Sequence, residues 1–196
     1  MNANSNLQDQ GNLRAPIAFA LIILLGMGLL YSLAGTALGR SLFPQQATGS
    51  IVTRDGKAVG SSLIAQPFAD ARYFQPRPSA ASYDPLSAAG SNQARTNPDL
   101  RKRIAEATER VATRDGIAAA QVPGELVTQS GGGLDPDISP QGAQVQIERV
   151  AKARGVDPSE VAELVAAHMQ GPQFGVLGEP RVNVLRLNLA LDAGKK

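Results

Sequence analysis

The longest uninterrupted apolar run in the chain extends from Ala15 to Gly39 and holds no side chain that is ionised at neutral pH. As a helix rising 1.5 Å per residue it is about 37 Å long, enough to cross a hydrocarbon core of about 30 Å with some tilt. Hydrocarbon offers no partner to backbone N–H and C=O groups, so the segment must satisfy them internally, which a continuous helix does. The pattern predicts one membrane span over 15–39, behind a short polar N-terminus over 1–14. A cleaved signal peptide competes with this reading, because Ala34-Gly35-Thr36-Ala37 offers small residues near its end. A signal's apolar core is about 7–15 residues, however, and this run is far longer, with Arg14 the only basic side chain ahead of it. Gly26, Gly28 and Gly35 are candidates for close packing against a partner helix.

Beyond the span the pattern becomes mixed, and residues 40–196 are expected to form one soluble α+β domain. Ser50-Ile51-Val52-Thr53, Arg54-Asp55-Gly56-Lys57 and Ala58-Val59-Gly60 predict a hairpin near 50–64, with Asp-Gly supplying the positive φ angles of a tight turn. From 67 to 98 the chain is dense in Pro, Ser, Ala and Asn and predicts an irregular loop. It also carries Phe68, Tyr73, Phe74 and Tyr83, most of the aromatics outside the span, which argues that the loop is ordered. Asn97-Pro98, Ser139-Pro140 and Asp157-Pro158 each place a cap residue before a first-turn proline, predicting helices near 98–115, 140–154 and 158–170. Glu160 is placed to complete a capping box with Asp157. The alternation from Arg181 to Leu191 predicts a C-terminal strand near 181–191, with a bulge or two-sided burial where its apolar phase changes.

Charge narrows the picture by removal. The formal net charge is +2, and past Ser41 the two signs almost cancel, so no nucleic-acid surface is predicted. Arg101-Lys102-Arg103, with Glu106 one turn beyond Lys102, reads as a solvated helix face. Arg14 before the span against Arg40, Arg54 and Lys57 after it mildly favours a cytoplasmic soluble part, a rule that large domains override. The chain has no Cys and a single His, which disfavours a zinc or haem site and a stably bound cofactor. His168 falls on the apolar side of its helix, where a packed imidazole is the default. No P-loop and no Gly-x-Ser-x-Gly elbow is present, and the chain reads as an interaction subunit rather than an enzyme.

One segment stands apart: Gln129-Ser130-Gly131-Gly132-Gly133-Leu134-Asp135-Pro136-Asp137. Adjacent glycines let backbone N–H groups converge on an anion such as phosphate, whereas Asp135 and Asp137 would repel one. A plain turn feeding the Ser139 cap is the alternative.

Several strings occur together in one order: Tyr73-Phe74-Gln75-Pro76-Arg77-Pro78-Ser79-Ala80, Gly90-Ser91-Asn92, Thr96-Asn97-Pro98, Ser130-Gly131 with Gly133-Leu134-Asp135-Pro136, Arg149-Val150-Ala151-Lys152-Ala153-Arg154-Gly155 and Val182-Asn183-Val184-Leu185-Arg186-Leu187-Asn188. With the N-terminal span, they closely resemble the C-subunit family of the bacterial Kdp-type potassium-transporting ATPases, from the span to Asp192. The resemblance implies a single-pass subunit of the bacterial plasma membrane, with a cytoplasmic N-terminus and a periplasmic soluble domain. It implies as partners the lipid bilayer, a potassium-translocating subunit and an ATP-hydrolysing subunit. This chain would stabilise their complex and act as a catalytic chaperone that raises ATP affinity. The same resemblance makes Gln129, Ser130, Gly131, Gly132 and Gly133 candidates for a transient ATP contact. A variant of the idea is an extracytoplasmic cap that modulates potassium entry without touching nucleotide. Tyr73, Phe74, Arg77, Tyr83, Asn92 and Asn97 are candidates for the surface that meets the other subunits. The chain carries Gly132 and Asp137 where the family usually has Ser and His.

Overall fold

The computed structural model describes residues 13–194, so most of the polar N-terminus expected over 1–14 lies outside the described residues. The chain divides between Gly49 and Ser50 into two compact units.

In the first unit, helix α1 (Arg14–Leu42) has no side chain buried inside the structure, as a helix facing lipid would have. Between Leu24 and Leu30 it loosens into π-type turns, and the Tyr31 N–H bonds the Gly26 carbonyl five residues back. A short turn, Pro44–Ala47, follows.

The second unit is α+β. Strands β1 (Ile51–Arg54) and β2 (Lys57–Ser61) pair antiparallel, with Arg54 opposite Lys57 and an irregularity between Val52 and Thr53. Asp55 and Gly56 both take positive φ, 51° and 74°, the turn that the Asp-Gly pair predicts. Helix α2 (Pro98–Asp115) starts where Asn97 Oδ1 accepts from the Asp99 N–H and stops at Gly116, whose φ of 69° is the left-handed cap that glycine adopts without strain.

Strand β3 (Asp137–Ile138) leads into α3 (Pro140–Gln144) and α4 (Ile147–Arg154), followed by α5 (Pro158–His168). Ser139 Oγ caps α3 by accepting from Gly142 N–H, and Asp157 Oδ1 caps α5 by accepting from Ser159 N–H. Strand β4 (Met169–Gln170) then pairs with β5 (Arg181–Asn183), which also pairs with β3, giving a three-stranded antiparallel sheet in the order β3-β5-β4. Helix α6 (Val184–Ala193) follows.

Three expectations change. The helix predicted over 140–154 is broken at Val145 and Gln146. The Gln146 amide Nε2 takes the Gly142 carbonyl, and the backbone N–H of Gln146 turns to Ala143 instead, so the regular ladder stops. The helix predicted to reach 170 ends at His168, because Met169 and Gln170 pair with β5. The strand predicted over 181–191 is three residues long. Asn183 Oδ1 accepts from the Arg186 N–H and caps a helix, and the change of apolar phase is the switch from period 2 to period 3.6. Val184, Leu187, Asn188 and Leu191 then share the buried face.

The core joins α2, α4, α5, α6 and the small sheet around Val111, Ile138, Val150, Val161, Val182 and Leu187, and Phe74 of the irregular 67–98 segment sits inside it.

Candidate functional site

From 67 to 97 the segment has no helix or strand beyond one 3-10 turn at Pro85–Ser87, yet Phe74 is 0% exposed. Backbone groups buried without a partner cost about 1–3 kcal/mol each. Helix α6 and the break between α3 and α4 supply those partners from side chains. Asn188 of α6 accepts from the Phe74 N–H at 2.8 Å and donates to the Phe74 carbonyl at 3.0 Å. Gln146 does the same for Gln75, at 2.8 Å and 3.2 Å. Two buried carboxamides therefore stand in for the neighbouring strand this segment lacks.

Arginines from α4 complete the strap. Arg149 donates to the carbonyls of Ala71 and Tyr73, to Gln146 Oε1 and to Asp115 Oδ1. Asp115 is buried and also accepts from Arg114. Desolvation lowers the Arg149 pKa, and the Asp115 carboxylate opposes that shift. Arg154 donates to the carbonyls of Arg72 and Leu191 and to Asp192, and its guanidinium lies 5.1 Å from the centre of the Tyr73 ring. Asp192 also accepts from Arg54 and from the Tyr73 hydroxyl. Burial pushes the Asp192 carboxyl up, but the bonds from Arg154, Arg54 and Tyr73 outweigh it and hold the carboxyl below the usual aspartate range.

The sequence-derived surface candidates are mostly used inside this construction. Phe74 is in the core and offers nothing to a partner. Tyr73 is tied to Asp192 and Arg154. Arg77 pairs with Asp135 at 2.9 Å, and the Tyr83 hydroxyl donates to the Arg77 carbonyl. Asn97 is the α2 cap. Asn92, exposed at φ 51°, is the candidate still open to solvent.

Within 129–133, Gln129, Ser130 and Gly133 are likewise committed. Ser130 is buried, its N–H donates to the Pro78 carbonyl, and its own carbonyl accepts from Gly133 N–H. Gln129 Nε2 reaches the Ser79 carbonyl at 3.5 Å, while its amide oxygen is enclosed without a donor. Gly133, at φ 72°, and Gly90 are pressed against neighbouring backbone so closely that a Cβ would stand 2.7 Å from the Ala89 carbonyl oxygen and 2.6 Å from that of Gly131. These glycines are there because two chain segments touch. Gly131 and Gly132 remain exposed. Nearby Asp135 and Asp137 are paired with Arg77 and Arg181, so the local cations are already engaged.

In the span, Gly28 and Gly35 lie seven residues apart on one side, and Gly26, two residues from Gly28, lies on the other. Ser32 and Gly39 continue the Gly28 side at four-, three- and four-residue spacing, which the sequence reading did not single out. A Cβ added at Gly26, Gly35 or Gly39 would meet nothing within 4 Å.

His168 Nδ1 lies 2.9 Å from the Leu164 carbonyl, where it closes the last turn of α5. Among the described residues no three His, Cys, Asp or Glu side chains converge as a metal site would need. A groove lined by Ala71, Thr113, Arg114, Glu148, Arg149 and Lys152 contains no histidine, and its Arg114 and Arg149 are bound to Asp115. The residues that sequence reasoning passed over, Gln146, Asn188, Arg149, Arg154 and Asp115, are the ones that build the strap.

A family profile described as "KdpC: K+-transporting ATPase, c chain" matches residues 13–193. A protein of Xanthomonas campestris pv. campestris (strain B100), called potassium-transporting ATPase KdpC subunit, is 62% identical over 192 residues, covering 98% of this chain and 92% of the relative. Proteins of the same name from Sorangium cellulosum (strain So ce56) and Shewanella putrefaciens (strain CN-32 / ATCC BAA-453) are 49% and 47% identical over 184 and 173 residues. They cover 92% and 88% of this chain, and 97% and 87% of the relatives.

Proposed function

The chain belongs to the KdpC family of K+-transporting ATPase subunits, and from that premise we propose that it is a non-catalytic, single-pass accessory subunit acting through assembly rather than through its own ligand. Its companions on this reading are the potassium-translocating and the ATP-hydrolysing subunit. The span packs against companion helices through Gly28 and Gly35, where small residues permit close backbone approach. The soluble domain stands on the extracytoplasmic side as a rigid body. It raises the ATP affinity of the ATP-hydrolysing subunit by favouring one conformation of the complex, a coupling that needs no shared site.

The reading rests on the internal commitment of Gln129, Ser130 and Gly133. A phosphate contact needs free donors and a positive field. Here Ser130 is buried, its N–H is taken by Pro78, and two carboxylates lie just beyond the glycines. A contact at Gly131 and Gly132 alone would have to form beside Asp135 and Asp137.

The absence of cysteine provides the test, since Lys196→Cys introduces a unique thiol. The expected result is modification by a membrane-impermeant thiol reagent in intact spheroplasts. Protection until the membrane is opened contradicts the extracytoplasmic placement. Gly28→Leu with Gly35→Leu tests the packing half: normal co-purification of the other subunits with both substitutions removes that face from the account.

A further inference from the structure

Between β4 and β5 the chain makes a projecting hairpin, and its tip is apolar. Phe174 is 84% exposed, Val176 79% and Leu177 57%. The turn is well tied: Gln173 N–H donates to the Leu177 carbonyl at 2.8 Å, Leu177 N–H returns the bond at 2.9 Å, and Gly175 N–H donates to Pro172. Phe174 sits at φ 56°, a left-handed conformation that disfavours an L-aromatic residue. A glycine or asparagine would hold the same turn with less strain, so the turn itself does not explain the phenylalanine. Its ring, facing water, does nothing for the core. An ordered backbone that presents a strained, exposed aromatic has the form of an interface anchor, preorganised so that little freedom is lost on docking.

The charges choose the occupant. From Met169 to Pro180 there is no Lys or Arg, and Glu179 is the sole ionised side chain. Segments that settle on anionic bilayers carry basic residues beside their apolar ones, and this tip has none. An uncharged apolar pocket in another protein suits it.

We propose that residues 173–177 are a docking element whose Phe174 ring, flanked by Val176 and Leu177, enters an uncharged apolar pocket on the water-exposed surface of a companion subunit of the pump. The proposal rests on the reading of this chain as an assembly subunit and adds the contact by which its soluble domain is held.

The test places a photoreactive benzoylphenylalanine at position 174 of the full-length chain in the purified pump. The expected result is an adduct with a companion subunit, with the attachment mapped to a cluster of apolar side chains. Adducts confined to lipid, an adduct with a second copy of this chain, or no adduct while the subunits still co-purify would each overturn it. In parallel, the combined Phe174→Ser, Val176→Ser and Leu177→Ser variant is expected to dissociate from the pump roughly thirtyfold more readily, the size of effect an anchor residue has. Leu86→Ser, at a still more exposed residue on another turn, is expected to change nothing. Unaltered retention of the triple variant counts against the proposal, and if that variant does not fold the crosslink decides alone. Failure of the unsubstituted chain to co-purify with any companion would instead refute the assembly reading, so the two failures are distinguishable.

Discussion

Phe74 and Phe174 each sit outside the regular helices and strands, and the protein treats them in opposite ways. Around Phe74 the backbone is buried, and Asn188, Gln146, Arg149 and Arg154 supply the partners it lacks. Around Phe174 the backbone bonds only to itself, and the ring is left in water. The difference separates two kinds of aromatic in a loop. One is core that happens to lack secondary structure, and the other is surface that the core does not need. An aromatic in an irregular loop, the feature that made Phe74 a candidate for the partner surface, does not distinguish them.

The largest effect that would break the contrast is expected at Phe74. Phe74→Ala should destabilise the soluble domain by about 3–5 kcal/mol through lost burial and the cavity left behind, measured by denaturant unfolding of the full chain in detergent. Asn188→Ala should cost about 2–3 kcal/mol, because it strands the Phe74 N–H and carbonyl in the core. A loss under about 0.5 kcal/mol would mean that the segment can refill its hydrogen bonds and that the strap is not what orders the loop. Asn183→Ala, which removes the α6 cap and a bond to the Ser62 carbonyl, should cost at least about 1 kcal/mol.

Asp192 sharpens the comparison through pH. Its carboxyl is held below the ordinary aspartate value of 3.8, so the unfolded chain binds a proton at a higher pH than the folded one. The stabilisation is therefore complete above about pH 4 and is lost as pH falls through the lower, folded value. Asp192→Asn should accordingly be less stable than the parent at pH 7, with the gap closing below about pH 4. A gap that widens on acidification would reverse the assignment. Last and smallest, Phe174→Gly should leave stability within about 0.5 kcal/mol of the parent or raise it slightly, because strain is relieved and no core is lost.

What the sequence made legible was local. The span follows from an uncharged run longer than a bilayer is thick, the hairpin turn from Asp55-Gly56, and three helix starts from a cap residue followed by proline. Each needs only a few neighbouring residues. The strap was illegible because its bonds join positions 71 and 114 residues apart, and a carboxamide side chain gives no sign of which distant backbone it will serve. The C-terminal strand was misjudged because Arg181 to Val184 alternates as a strand does, and the decisive event, Asn183 turning to cap a helix, is a single side-chain bond. In the glycine-rich segment the residues were visible but their cause was not. Gly133 and Gly90 are required by the approach of one loop to another, a contact between segments some 40 residues apart in sequence.

On the proposed reading Gln129, Ser130 and Gly133 serve the packing of two chain segments and not a nucleotide. Irradiating the intact purified pump with a photoreactive ATP analogue and mapping the labelled peptides tests it directly. Label is expected on the ATP-hydrolysing subunit and none on this chain; label within residues 129–133 that disappears with Gln129→Ala would contradict the proposed function.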